Sequence, residues 1–439
     1  MRNVLVISYY FPPSGGPGVQ RVLKFCRYLP RHGYRPLVLT VPETAAFPVL
    51  DPTLAAEIPA EARIYRAPIR EFYGLYRRAA GTGPGSPVNL TTTARDQSGL
   101  RGRFLQGLRG AFFIPDGRMG WLPGGTRLGM EILRREPVDL IFASGPPFTA
   151  HWIGRRLAER TELPLVLDFR DPWTRAPFYP RRPSWARALD VRLERSCVRR
   201  AAAVVTVNRQ IGSDLRAGVT GLPPERLHVL SNGFDPADFS ARVPAAQARW
   251  TLVHTGTLPA GRFPEGFVPA LASMLRDDPG LDGRMQVRFL GSRDLRLLEM
   301  LRQPPLDRVV RFEGYVPHQD SVQALLDSHL LLLFIEEGPQ AAGMLTGKLF
   351  EYLGSTRPIL ALAPEGEAAE LIRATRAGRV VRGNDVDGIR RALEEASAAH
   401  RLGRRAFGEP DPAAVERLSR VEITRQLAGL FDRILGAAG

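Results

Sequence analysis

Short apolar runs alternate with helix-patterned segments along most of this 439-residue chain, and the alternation runs through twice. A strand covered on both faces reads as a continuous aliphatic run, and a crossover helix carries an apolar stripe. Strands are predicted at residues 3–9, 36–40, 138–143, 164–168, 203–207 and 227–230, with helices at 19–31, 148–161 and 185–201. The second half repeats the grammar, with strands at 251–255, 286–290, 309–312, 330–335, 358–362 and 379–381 and helices at 267–275 and 321–327. Strand and helix in alternation mean βαβ units and parallel sheets, so the predicted fold is α/β with two Rossmann-like domains. The length agrees, because it exceeds what one hydrophobic core usually supports. Between the halves, NGFDPADFSARVPAAQARW is polar and turn-rich, which sets the boundary at 235–247 and the domains at 1–235 and 236–414. A last helix at 413–435 has no strand after it and is free to pack on either domain.

Composition closes off several classes. Apolar content of 44% and charged content of 24% describe a globular protein with little room for disorder. The two cysteines, Cys26 and Cys197, form no CxxC, which argues against a disulfide framework or zinc ribbon and for a reducing cytoplasm. Seven scattered histidines show no metal spacing. The opening MRNVLVISYYFPP is too short to span a membrane and has no small-residue cleavage site, so it reads as a buried strand.

Net charge is +15, and among the basic residues only Lys24 and Lys348 are lysines. A coding bias that raises Ala, Gly, Pro and Arg together explains most of that excess better than nucleic-acid binding does. The charge is nonetheless local: residues 62–135 hold 13 Arg against 4 acids, which points to an anionic surface, either lipid headgroups or nucleic acid. Within this region, 79–99 reads as a loop. In 100–123 (LRGRFLQGLRGAFFIPDGRMGWLP) Arg alternates with Leu and Phe, as in either a core helix or a membrane-surface segment.

In open α/β sheets ligands bind outside the carboxyl ends of the strands, so the loops after strands hold the candidate chemistry. PPSGGPGVQR follows the first strand; Gly15, Gly16 and Gly18 permit a tight turn before a helix N-terminus that favours an anion. LPLVLDFRDPW ends a strand on Asp168, Arg170, Asp171 and Trp173, either an ion pair ordering the loop or polar groups for catalysis. HTGTLPAGRFPEG places Thr255, Gly256, Thr257 and Arg262 after another strand, where a guanidinium would suit a diphosphate.

The most specific local feature is LLLLFIEEGPQAAGMLTGKLFEYLGSTRPILAL, in which Thr346, Gly347, Lys348 and Leu349 open a helix between two strands. Free N–H groups, the helix dipole and a compact ammonium together suit a diphosphate. Glu351, one turn on, could accept two hydrogen bonds from a ribose diol. Asp385-Val386-Asp387 looks like a metal-binding Asp-x-Asp but precedes a helix, so Asp385 reads as a cap.

The ordered set FPPSGGPGVQR, FIPDGRMGW, ASGPPFTAH, DFRDPW, LSNGFD, HTGTLPAGR, TGKLFEYL and PILAL resembles the retaining glycosyltransferases of family 4, and within them the branch of bacterial exopolysaccharide and capsule clusters. The resemblance spans nearly the whole chain. It implies the GT-B fold, two Rossmann-like domains with parallel sheets facing a central cleft, and a C-terminal helix (415–439) crossing back to the first domain. It implies a hexosyl transfer from a nucleotide-diphosphate sugar, with neither metal nor cofactor, to a sugar, lipid-linked or small-molecule acceptor. Lys348 and Arg262 would hold the donor diphosphate and Glu351 the ribose, while Asp168, Arg170 and Asp171 fall where the family places acceptor-side and catalytic contacts. One departure stands out: the family usually has a Glu eight positions before the ribose Glu, and here that position is Gly343. A GT-B-type epimerase and a basic non-enzymatic binder are the rival readings, the latter without any nucleic-acid-binding motif to support it.

Overall fold

The computed structural model describes residues 1–70, 110, 112–176, 179–180, 182–219, 222–240, 242–258, 263–292, 295–338 and 341–437. They fall into two compact units, Met1–Ser231 with Thr424–Gly439, and Asn232–Ile423.

The first unit is built on a seven-stranded sheet of β1 (Arg2–Ile7), β2 (Tyr34–Thr40), β3 (Arg63–Arg66), β4 (Leu140–Gly145), β5 (Leu165–Phe169), β6 (Ala203–Thr206) and β7 (Leu227–Val229). The order is β3-β2-β1-β4-β5-β6-β7, and every adjacent pair is parallel. The chain therefore winds one way from β1 and the other way from β4, and the switch point lies between those two strands. Crossovers include α1 (Pro17–Tyr28), α2 (Leu122–Arg135), α3 (Thr149–Thr161), α4 (Ser184–Arg200) and α5 (Arg209–Gly218). In α1 the apolar stripe Val19, Val22, Leu23 and Cys26 is buried at helical spacing, as an amphipathic crossover requires.

The second unit carries a six-stranded parallel sheet of β8 (Trp250–Thr255), β9 (Met285–Leu290), β10 (Val310–Glu313), β11 (Leu330–Phe334), β12 (Ile359–Leu362) and β13 (Gly378–Val381). Its order is β10-β9-β8-β11-β12-β13, so its switch point lies between β8 and β11. Its helices include α6 (Phe267–Asp277), α7 (His318–Leu326), α8 (Gly347–Gly354), α9 (Glu367–Ala374) and α10 (Val386–Arg401). Asp385 caps α10 as expected, its Oδ1 accepting the Gly388 N–H at 2.9 Å.

All twelve predicted strands are present within two residues of their predicted ends, and the structure adds elements the pattern did not give, among them α5, α9, β3 and α2. β3 is a short charged strand at the sheet edge, and α2 contains Pro123, Gly124, Gly125 and Gly129. Those glycines are a packing requirement: a Cβ at Gly125 or Gly129 would stand 2.6 or 2.5 Å from the side chains of Ile153 and Leu157 on α3. The predicted last helix is broken in two, at Pro412–Glu416 and α11 (Arg420–Ala437). The break is where the Phe234 N–H donates to the Leu418 carbonyl and the Arg420 N–H to the Phe234 carbonyl, and Ser419 restarts the helix by accepting the Glu422 N–H. The far end of α11 is tied to the first unit: Phe431 meets Tyr34 and Phe142 edge-on at 5.4 and 5.9 Å, and Tyr34 donates to Asp432 at 2.6 Å.

Candidate functional site

In the second unit the loop after β8 and the loop from β11 into α8 flank the switch point. α8 begins at Gly347 with Thr346 as its cap residue, yet no side chain caps it, and the Thr346 hydroxyl is buried without a hydrogen-bond partner among the described residues. Uncapped N–H groups and the positive dipole end make this helix start receptive to an anion.

Two rows of contacts fasten α8 to the sheet. Tyr352 receives the Thr255 N–H at 2.9 Å, and burial pushes its phenol up to about 12. Thr255 is thus spent inside the fold. One turn earlier, the Lys348 ammonium donates to His254 Nε2 at 3.3 Å and to the Thr257 carbonyl at 3.2 Å. His254 is 1% exposed and stacks on Phe334 with ring centroids 4.9 Å apart. Its Nδ1 lies 2.9 Å from the Leu332 carbonyl, which can only accept, so Nδ1 carries the proton and Nε2 offers its lone pair to Lys348. Burial, then the Lys348 charge, push the imidazole down to about 3, so His254 is neutral wherever the protein works.

Gly256 completes this seat. It adopts φ +93°, and a Cβ there would stand 2.4 Å from Lys348 Cε. Only glycine leaves room for the lysine to lie across the β8 turn.

Glu351 lies one turn beyond Lys348 with a side chain 34% exposed. Burial raises its carboxyl above the usual range, against the pull of His318, Arg420 and Lys348. His318 bridges it to a second acid: Nδ1 is 4.0 Å from Glu351 Oε1 and Nε2 is 3.4 Å from Asp238 Oδ2. Leu349 is buried in the core and contributes backbone only. Gly343 is buried in a turn at Ala341–Gly343, Glu336 is partly buried and Glu337 is exposed. Arg262 lies outside the described residues, as do Arg77, Arg78, Arg95, Arg101, Arg103 and Arg109 of the basic stretch 62–135.

In the first unit the start of α1 and the segments after β4 and β5 meet around Arg170. Its guanidinium donates to the carbonyls of Gly18 and Pro146, and more distantly to Gly145 at 3.4 Å. Gly16, at φ +83°, is the residue before α1. Gly15 sits against Asp51, where a Cβ would come within 2.9 Å of its side chain. Asp168 is fully buried and its carboxylate is engaged, with Arg21 at 2.9 Å and the Ser144 hydroxyl at 2.7 Å. Arg21 in turn donates to the carbonyls of Leu230 and Ser231 at 2.9 and 2.8 Å. Asp168 and Arg170 therefore hold loops in place here, and Asp171 is the half-buried carboxylate of this set. Burial raises the Asp171 pKa and the neighbouring Arg170 opposes the rise. Trp173 is buried, stacked on Phe148 at 4.7 Å and hydrogen-bonded to Asp190 at 3.0 Å.

Sequence reasoning missed His254, Tyr352 and His318. His254 stands inside the quoted HTGTLP run, but its partner is 94 positions away. No local pattern announces such a contact. Among the described residues no cluster of three His, Cys, Asp or Glu side chains is placed to hold a metal ion, and no helix is long and apolar enough to cross a membrane.

Residues 15–233 match the family described as glycosyl transferase 4-like domain. No curated protein matches the chain. Its fold is similar to that of Anabaena HepE in complex with UDP-glucose, at 14% identity and TM-score 0.58 over 99% of this chain and 100% of that one. Sucrose-phosphate synthase from Thermosynechococcus elongatus is similar at 15% identity and TM-score 0.62, over 100% of both chains. A proposed UDP-N-acetylglucosamine 2-epimerase from Listeria monocytogenes is similar at 10% identity and TM-score 0.56, over 99% and 97%. At these identities the likeness is one of fold: two parallel-sheet Rossmann-like domains, as in GT-B glycosyltransferases.

Proposed function

With residues 15–233 a glycosyl transferase 4-like domain, we propose that the chain is a retaining glycosyltransferase that moves a hexosyl group from a nucleotide-diphosphate sugar to an acceptor hydroxyl. The acceptor belongs to polysaccharide or glycoconjugate synthesis and is sugar, lipid-linked or a small molecule. The protein works in the cytoplasm, at the anionic inner face of the membrane when that acceptor is lipid-linked.

The observation that carries this reading is the Lys348 ammonium seated on His254 Nε2 and the Thr257 carbonyl at the uncapped start of α8, with Glu351 one turn on. In the reaction the bond from the anomeric carbon to the β-phosphate oxygen breaks, and the acceptor oxygen bonds to that carbon on the same face. The acceptor proton passes to the departing phosphate oxygen. Negative charge grows on the diphosphate, where Lys348, Arg262 and the amides of Gly347 and Leu349 act on it, and Glu351 grips the ribose. Gly15, Gly16 and Gly18 keep the first unit's loop low, Arg170 ties that loop to the ends of β4 and β5 through the Gly18, Gly145 and Pro146 carbonyls, and Asp171 serves the acceptor side. Asp168 positions that loop from within.

A thermal-shift screen against UDP, GDP, ADP and dTDP tests the donor site, since a ligand bound only by the folded state stabilises it by mass action. One diphosphate raises Tm in the wild type and fails to in Lys348→Ala. Product analysis with the matching nucleotide sugar separates the rival GT-B chemistry: an inverted sugar nucleotide formed without acceptor makes the chain an epimerase and sinks the transferase reading.

A further inference from the structure

Away from both loop sets, a cavity of about 1180 Å³ opens between α3 and α4 on the first unit. Seven arginines and one carboxylate, Glu159, line it. Glu159 is already paired, with Arg155 at 2.8 Å. Among the described residues no carboxylate pairs with Arg187, Arg192, Arg195 or Arg199, all of them exposed on α4. Guanidinium groups gathered this way repel one another until an anion joins them.

The same helix also exposes apolar surface. Trp185 is 61% and Leu189 50% exposed. With Arg192, Ser196 and Arg199 they follow the spacing i, i+4, i+7, i+11, i+14, a single stripe along α4. A third exposed apolar side chain stands nearby. Arg182, at the entry to α4, is buried and donates to the carbonyls of Gly110, Phe113 and Pro115 at 2.7, 2.9 and 2.7 Å, and Phe112 between them is 68% exposed.

We propose that this α4 face docks the first unit on an anionic lipid bilayer, which deepens the membrane part of the proposed function by naming its surface. Phe112, Trp185 and Leu189 enter the headgroup boundary, and the arginines meet lipid phosphates from the flanks. A free phosphate or a nucleic acid would use the arginines but leave the apolar stripe in water. A bilayer takes both. The stripe is not part of the glycine-rich loop or of the Lys348 seat, so the surface is separable from catalysis.

The test is co-sedimentation of the full chain with phosphatidylcholine vesicles, with and without phosphatidylglycerol. Each guanidinium near an anionic surface is worth about a fivefold change in partition, so Arg192→Glu, Arg195→Glu and Arg199→Glu together lower binding about a hundredfold or more. Trp185→Ser with Leu189→Ser lowers it about tenfold or more at unchanged charge. Turnover on a water-soluble acceptor stays at the wild-type level in both, which also shows that they fold. Binding unchanged in either set overturns the proposal, as does tighter capture of duplex DNA than of vesicles. Loss confined to Arg101→Glu, Arg103→Glu and Arg109→Glu moves the contact elsewhere and overturns it while leaving the transferase reading standing.

Discussion

His254→Phe separates the seat of Lys348 from everything else in the donor unit. Phenylalanine keeps the ring, and with it the stack on Phe334 at 4.9 Å, but removes the Nδ1 donor to Leu332 and the Nε2 acceptor for Lys348. A hydrogen bond to a charged group contributes about 1.5–3 kcal/mol, and Tyr352 still reaches the Leu332 carbonyl at 3.4 Å, so the variant folds with a loss of that order at neutral pH. Acid brings out the difference. The unfolded imidazole takes up a proton near pH 6.5, whereas the folded one refuses it down to about 3. A depressed pKa contributes stability that is present above the unfolded value and lost as pH falls, so the wild type weakens by about 2 kcal/mol between pH 7 and pH 5 from this residue alone. His254→Phe has no such proton to take up. His151 and His329, both also pushed down to about 4 by burial, act equally in the two proteins and cancel in the comparison. Urea melts at the two pH values, with hydrogen exchange of β8 and β11 amides to localise the effect, read the difference directly. Turnover supplies the second arm: the variant falls about tenfold, but adding it to Lys348→Ala, itself about 10²-fold down, costs nothing more. Equal pH slopes in wild type and variant, or fully additive losses in the double mutant, would refute the seating of Lys348 by a neutral histidine.

Glu351→Gln should raise KM for the nucleotide sugar about tenfold with kcat little changed, because a ribose grip is the same in ground and transition states. Since burial raises the Glu351 carboxyl, wild-type donor affinity should start to fall, as pH is lowered, above the range of an ordinary glutamate; calorimetric titrations over pH 4–7 check this, and Glu351→Gln should flatten the profile. Gly256→Ala forces a Cβ into φ +93° and to within 2.4 Å of Lys348 Cε, so it should cost about 1–2 kcal/mol in a denaturant melt and lose activity as Lys348→Ala does. Arg21→Ala leaves the Asp168 carboxylate buried beside Ser144 alone, which should destabilise the first unit by about 3–5 kcal/mol in calorimetry while the nucleotide-dependent Tm shift of the surviving fold persists.

What could be read from the chain follows from how each feature is encoded. Strands buried on both faces, such as LLLLF of β11 and LIFASG of β4, announce themselves as unbroken apolar runs. RIYR of β3 does not, because an edge strand needs only half-buried alternation and four residues carry too little of it. LPGGTRLGMEILRR hid α2 for a different reason: glycines that speak against a helix locally are there because Ile153 and Leu157 leave no room for a Cβ. The break before α11 was written as Ser419-x-x-Glu422 but was masked by the longer apolar periodicity around it. At the site, Lys348 stood out because lysine is rare in this chain; the other lysine, Lys24, is buried and paired with Glu57 at 3% side-chain exposure, whereas Lys348 is half-buried. Asp168 misled in the opposite direction. Its place at a strand's carboxyl end suggested a group turned toward a ligand, yet the parallel register sets it opposite Ser144, and Arg21 from α1 closes over it. A carboxylate at a strand end faces ligand only if no cation from the covering helix reaches it first, and that is decided by packing between residues 147 positions apart.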